Sequence, residues 1–148
     1  MTGPAIKVTR DELCDLIPHS GIMCLLDGVR DWTDDSISCI SRSHQSQDNP
    51  LRRNNQLSSV HTMEYGAQAM AVHGGLLAKQ YGQSIKPGYL AALRDVELLV
   101  PRIDDVEETL VISAKQLMAG DGNLMYVFKI MAGDRVISSA RATVITQG

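Results

Sequence analysis

Residues 58–80, S-S-V-H-T-M-E-Y-G-A-Q-A-M-A-V-H-G-G-L-L-A-K-Q, carry one long helix signal with a polar stripe along its flank. Val60, Met63, Ala67, Met70, Gly74 and Leu77 step by three and four, the period of one helix face. At roughly 100° per residue, His61, Glu64 and Gln68 fall beside that face. A carboxylate next to apolar residues must be paired, solvated through a cleft, or used. The opposite side, with Tyr65, Ala69, Val72 and Leu76, is also poor in polar groups. A helix apolar nearly all round is buried on more than one side. Either a curved sheet wraps it, or a sheet covers one side and a second subunit the other.

The flanking segments say which elements do the covering. Thr9-Arg10-Asp11-Glu12 fits a capping box for a short first helix, with Leu13, Leu16 and Ile17 on its apolar side and Pro18 as its stop. Residues 21–32 and 36–44 read as two strands joined by a turn at Thr33-Asp34-Asp35, with Ile37, Cys39 and Ser41 on one face of the second. Residues 45–56 are polar, with Pro50 and the pair Asn54-Asn55, and read as a loop. Ser58 or Ser59 is the candidate N-cap of the long helix, which ends near Gly82. Strands are then expected over 89–100, 109–118, 124–131 and 135–146, with turns over 119–123 and at Gly133-Asp134. Strands grouped rather than alternating with helices predict an α+β fold with an antiparallel sheet, in one domain spanning 1–148.

Composition narrows the class. The chain has 148 residues, 44% hydrophobic and 21% charged, which fits one ordered core rather than disorder. Aromatics are 4%, so the core is expected to be aliphatic, with Ala and Met. Met63, Met70 and Met125 are read as core filler. A net charge of −3 gives no reason to expect nucleic acid as a partner. Cys14, Cys24 and Cys39 are odd in number and form no C-x-x-C pair, which argues against a disulfide framework and a metal site and for a reducing cytoplasm. No signal peptide or apolar run of about 18 residues is present, so no membrane span is expected. Gly74-Gly75 inside the helix is read as a close-packing position, since no nucleotide-binding glycine pattern surrounds it.

Two segments carry a family resemblance. Residues 16–27, L-I-P-H-S-G-I-M-C-L-L-D, resemble the L-[IL]-P-H-R-x-P-F-L-L-V-D run of the hotdog-fold β-hydroxyacyl-acyl carrier protein dehydratases. Residues 64–68, E-Y-G-A-Q, resemble that family's E-A-x-A-Q run on its central helix. Order and following strands also match, and the nearest subgroup is that of 3-hydroxyacyl-carrier-protein dehydratase-like proteins of aryl-polyene-type pathways. The resemblance implies a hotdog fold, a sheet wrapped around a central helix. It also implies a homodimer, or a heterodimer with a related hotdog chain, forming acyl tunnels at its interface. The substrate would ride on a phosphopantetheine arm, from acyl carrier protein or acyl-CoA, with no other cofactor. One departure stands out: the family's histidine lies in a G-H-F-P-G loop, whereas residues 48–55 here, D-N-P-L-R-R-N-N, contain none.

Dehydration of a 3-hydroxyacyl thioester needs a base for the C2 proton and an acid for the departing hydroxyl. Histidine suits the first task, and a carboxyl kept protonated by its surroundings suits the second. Glu64 matches the family carboxylate directly, and Gln68, one turn on, is placed to orient it. His61 is the candidate base by proximity, with His44 as alternative. Amides at the helix start could stabilise charge on the thioester carbonyl. His19, in the P-H match, is read as a loop or tunnel-mouth contact, and His73 as structural. Arg52 and Arg53 are candidate contacts for a phosphopantetheine phosphate or an acidic carrier protein. Three functions follow: a dehydratase, a non-catalytic hotdog partner subunit of a dehydratase, or an acyl thioesterase using the same carboxylate to activate water.

Overall fold

The computed structural model describes residues 6–17, 23–84, 88–120 and 122–146. The strand β1 (Val8–Thr9) leads into helix α1 (Arg10–Cys14), closed by the expected capping box: Thr9 Oγ1 accepts from the Glu12 amide and the Glu12 carboxylate accepts from the Thr9 amide. Leu13 and Ile17 are buried and Leu16 packs against the core. Pro18 and His19 lie outside the described residues.

The next two strands are shorter than predicted. They are β2 (Gly28–Trp32) and β3 (Ser36–Ser41), paired antiparallel, with Ile37, Cys39 and Ser41 buried on one face as expected. The physical reason lies in where backbone groups find partners. Before β2, the Leu25 amide goes to the Gln68 side chain and the Leu25 carbonyl accepts from Ser41 Oγ, so side chains replace a strand ladder. After β3, the Ser43 amide turns back to Ser41 Oγ and the chain enters a 3-10 turn (Ser43–Gln45). The polar loop then closes a tight hairpin at Arg53-Asn54-Asn55-Gln56. Both asparagines take positive φ, 52° and 61°, and Arg53 and Gln56 exchange backbone hydrogen bonds at 2.8 and 2.9 Å. Two consecutive left-handed residues make a type I′ turn, a role asparagine fills well.

Helix α2 (Thr62–Gln80) is preceded by a 3-10 turn (Ser59–His61) that Ser58 caps through Val60 N. Gly82, at φ +64°, ends it. The strands β4 (Gly88–Leu98), β5 (Leu110–Gly120), β6 (Asn123–Ala132) and β7 (Arg135–Thr146) complete a seven-stranded antiparallel sheet in the order β1-β2-β3-β5-β6-β7-β4. The Gly133-Asp134 turn is the expected one, whereas the β5–β6 turn is tighter than predicted because the ladder runs on to Gly120 and Asn123. Helix α2 packs across β3, β5 and β6. A sheet curled around one long helix is the hotdog architecture.

The helix faces are inverted relative to the prediction. Tyr65, Ala69, Val72 and Leu76 turn to the core. Met63, Ala67, Gly74 and Leu77 are only half-buried and Val60 is exposed; Met70 alone of that face is buried. Gly66 decides which side meets the sheet, since a Cβ there would stand 2.4 Å from the Phe128 ring. Gly75 likewise has Leu16 at 2.9 Å, whereas Gly74 faces open space, so only the second glycine is a close-packing position. The core is aliphatic and Ala-rich, with Tyr65, Tyr126 and Phe128 as its largest side chains.

The expectation against a disulfide is overturned. Cys14 and Cys24 are bonded, with Cα atoms 6.0 Å apart. Pairing of Val8 with Val29 folds the intervening chain back on itself and brings the end of α1 to the segment before β2. Cysteine count and spacing do not contain that topology. The third cysteine, Cys39, is buried in β3, and burial pushes its thiol up to about 12.

Candidate active site

Gln68 ties the two family-like segments together. Its side chain is buried on α2. Its Oε1 accepts from Leu25 N at 2.8 Å, and its Nε2 donates to Met23 O at 2.8 Å and to Glu64 Oε1 at 3.2 Å. One amide thus satisfies the Met23 carbonyl and the Leu25 amide and also donates to the Glu64 carboxylate. Glu64 lies in the first turn of α2, half-buried beside the half-exposed apolar flank.

His61 sits differently. It ends the 3-10 turn before α2 and is half-buried. It lines a cavity of about 260 Å³ together with Arg53, Gln56, Ser58 and Arg102. The predicted base and one of the two predicted anion contacts therefore meet, whereas the Glu64 carboxyl is directed to Gln68 on the neighbouring flank. Arg102 of that lining is held by Asp104, which accepts from Arg102 Nε at 3.1 Å and from Leu57 N at 2.8 Å. The Arg102 guanidinium holds the Asp104 carboxyl down to about 2. Arg102 and Asp104 are separated by one residue in an irregular loop, and no local pattern announces their role.

Among the other candidates, His44 and Arg52 make structural contacts. His44 is fully buried, with Nε2 3.0 Å from the Val106 carbonyl; a carbonyl only accepts, so Nε2 carries the proton. Burial holds its pKa below the ordinary value. The ring has no exposed surface in this chain. Arg52 staples the loop, donating to the carbonyls of His44 and Asn55 at 3.1 and 3.2 Å. Arg53 stays exposed on the hairpin. His73 is structural as read, buried between Tyr126 Oη at 2.7 Å and the Thr33 carbonyl at 2.9 Å. A second network missed by the sequence reading fixes the loop to the helix: Tyr65 Oη meets Ser43 Oγ at 2.8 Å and accepts from Asn49 Nδ2 at 3.2 Å. Among the described residues no group of three or more His, Cys, Asp or Glu could hold a metal, and no helix is long and apolar enough to cross a membrane.

The ApeP-like family, described as ApeP dehydratase, matches residues 12–147. The chain belongs to the ApeP-like dehydratase family. The match takes in the end of α1, the Gln68 clamp and the whole of α2. No protein of curated function matches the sequence. Among solved structures, the dehydratase heterocomplex ApeI:P from Xenorhabdus doucetiae is similar with a TM-score of 0.83 at 22% identity, over 95% of this chain and 92% of that one. A protein from Shewanella oneidensis provisionally assigned as a thioesterase gives a TM-score of 0.64 at 10% identity, over 94% of each chain. A hypothetical thioesterase from Streptococcus pneumoniae, solved with coenzyme A, gives 0.60 at 12% identity, over 81% and 84%. These likenesses concern the hotdog fold. The dehydratase assignment comes from the family, and it disfavours the thioesterase alternative.

Proposed function

We propose that this ApeP-like chain takes part in dehydrating a 3-hydroxyacyl thioester to the trans-2-enoyl thioester, with the acyl group carried on a phosphopantetheine arm. The observation that carries the reading is the Gln68 clamp, which fixes a carboxyl at the start of α2 beside a half-exposed apolar flank. In this reaction a base removes the C2 proton, the C2–C3 double bond forms, and the C3 hydroxyl leaves as water after protonation. Glu64 is assigned to the hydroxyl, where general acid catalysis supplies on the order of 10²–10⁴-fold. His61 is assigned as the base, and Arg53 beside it as the contact for the phosphate of the arm.

A second reading has its own support: a related hotdog chain completes the site. Strand β4 is the long edge strand of the sheet, opposite the two-residue β1, and Tyr89, Leu98 and Leu99 on and beside it are 53%, 41% and 57% exposed. An unpaired edge with exposed large apolar side chains is a template for another strand. The similar X. doucetiae protein is a heterocomplex, which favours a related chain over a second copy. The two readings separate in one experiment. The purified chain is given a 3-hydroxyacyl thioester, on carrier protein or on coenzyme A, alone and with a related hotdog chain. Enoyl product from the chain alone supports a self-sufficient site with His61 as base. Product only with the partner supports the shared site. No product in either case, or release of free thiol, sinks the dehydratase proposal. A cytoplasmic location suits such substrates, and in that compartment the Cys14–Cys24 bridge would face reductants.

A further inference from the structure

Cys24 stands between the two residues that grip Gln68. Met23 offers its carbonyl to Gln68 and Leu25 its amide, each at 2.8 Å. The Cys24 sulfur is bonded to Cys14, the last residue of α1, and the Cys24 carbonyl accepts from Arg10 Nη2 at 2.9 Å. Helix α1 is itself anchored by its capping box and by the pairing of β1 with β2. The bridge is therefore a covalent strut from an anchored helix to the backbone that orients the Glu64 carboxyl.

We propose that the Cys14–Cys24 disulfide is a redox-sensitive positioning element for Glu64, holding the 23–25 segment on Gln68 when bridged and slackening that hold when reduced. The catalytic part of this inference rests on the dehydratase reading; the structural part does not. Cys14 is half-buried and Cys24 buried, so an attacking thiolate meets the Cys14 sulfur and Cys24 leaves. A cavity of about 280 Å³ opens beside Cys24, with Arg10, Arg42, Asp27 and Asp48 in its wall. It gives the released segment room to move. The reductant is a dithiol: the protein S–S bond breaks, two electrons and two protons yield two thiols, and the dithiol closes to its own disulfide. Cys39 takes no part, being sealed in β3.

The test uses the full chain in both redox states. Alkylation after denaturation without reductant should label one cysteine in the bridged protein and three after dithiol treatment, matching the bridge and the single free cysteine. Reduction should raise hydrogen exchange at the Leu25 amide about ten-fold while Ile130 in β6 is unmoved. It should lower kcat several-fold with KM changed by less than about two-fold, and reoxidation should restore both. The Cys14→Ser/Cys24→Ser variant should behave as the reduced protein and ignore the dithiol. Equal Leu25 exchange in the two states overturns the proposal, as does labelling of three cysteines even after mild oxidation. Exchange that responds while neither state forms enoyl product, even with a related hotdog chain present, supports the strut and overturns the dehydratase reading instead.

Discussion

Gln68 and His61 lie on one polar stripe and meet opposite fates. Gln68 is fully buried, with both functional atoms of its amide engaged across the fold. His61 is half-buried at a cavity wall beside an exposed arginine. Periodicity places both beside Glu64 and treats them alike. What separates them is the chain that arrives from elsewhere: the 23–25 segment reaches Gln68, and two separate loops, carrying Arg53 and Arg102, reach the cavity at His61. A residue held on all sides positions something. A residue left at a cavity wall is available to a substrate or to a second chain.

The largest expected effect falls on the group that this contrast leaves in the middle. Glu64→Gln removes the acid while keeping shape, and kcat for enoyl formation should fall on the order of 10²–10⁴-fold. The thermal midpoint should barely move; a drop of many degrees would mean that Glu64 is structural. The next effect breaks the comparison in two. His61→Ala should cost on the order of 10²-fold if its ring is the base. A loss below about three-fold, far short of a lost catalytic proton transfer, would assign the base to a partner chain.

Gln68→Ala sharpens the other side. It strands the Leu25 amide and the Met23 carbonyl, and leaving such buried groups unpaired costs about 1–3 kcal/mol. Urea denaturation should show that loss, together with reduced kcat as Glu64 loses its orientation. Unchanged stability would mean that the clamp is not holding the 23–25 segment.

The smallest effect concerns acid. Burial holds the pKa of His44 and His73 below the ordinary value of 6.5. Below about 6.5 the unfolded chain binds protons that the folded rings refuse, so stability falls as pH drops from there towards the folded values. Asp104 adds a second window, its stabilisation present above 3.8 and lost as pH falls towards about 2. The urea midpoint should therefore be lower at pH 5.5 than at pH 7.5, and an equal or higher midpoint would contradict neutral buried rings.

What was legible in the sequence was what short-range chemistry determines. The Thr9–Glu12 capping box, the Gly133-Asp134 turn and the helix stop at Gly82 all follow from contacts within a few residues. The family-like segments also placed Glu64 and Gln68 correctly beside each other. The failures lie where distant segments decide. Helix α2 is apolar on two faces, and the choice between them rests on the Gly66–Phe128 contact, across 62 positions of chain. The Cys14–Cys24 bridge depends on β1 meeting β2. The burial of His44 depends on the Val106 carbonyl, and the brace at Leu57 on Asp104. Those partners carry no local signature, so a polar residue destined for the core looks the same as one destined for a substrate.

The central claim is that a carboxyl aligned by Gln68 drives loss of water from a 3-hydroxyacyl thioester. A mass-spectrometric time course of that thioester, with wild type, Gln68→Ala and Glu64→Gln side by side and the related chain present, tests it directly. The expected result is loss of one water with the thioester intact, fast in wild type, slower in Gln68→Ala and absent in Glu64→Gln. Water loss that is equal in all three, or cleavage of the thioester without water loss, would contradict the account.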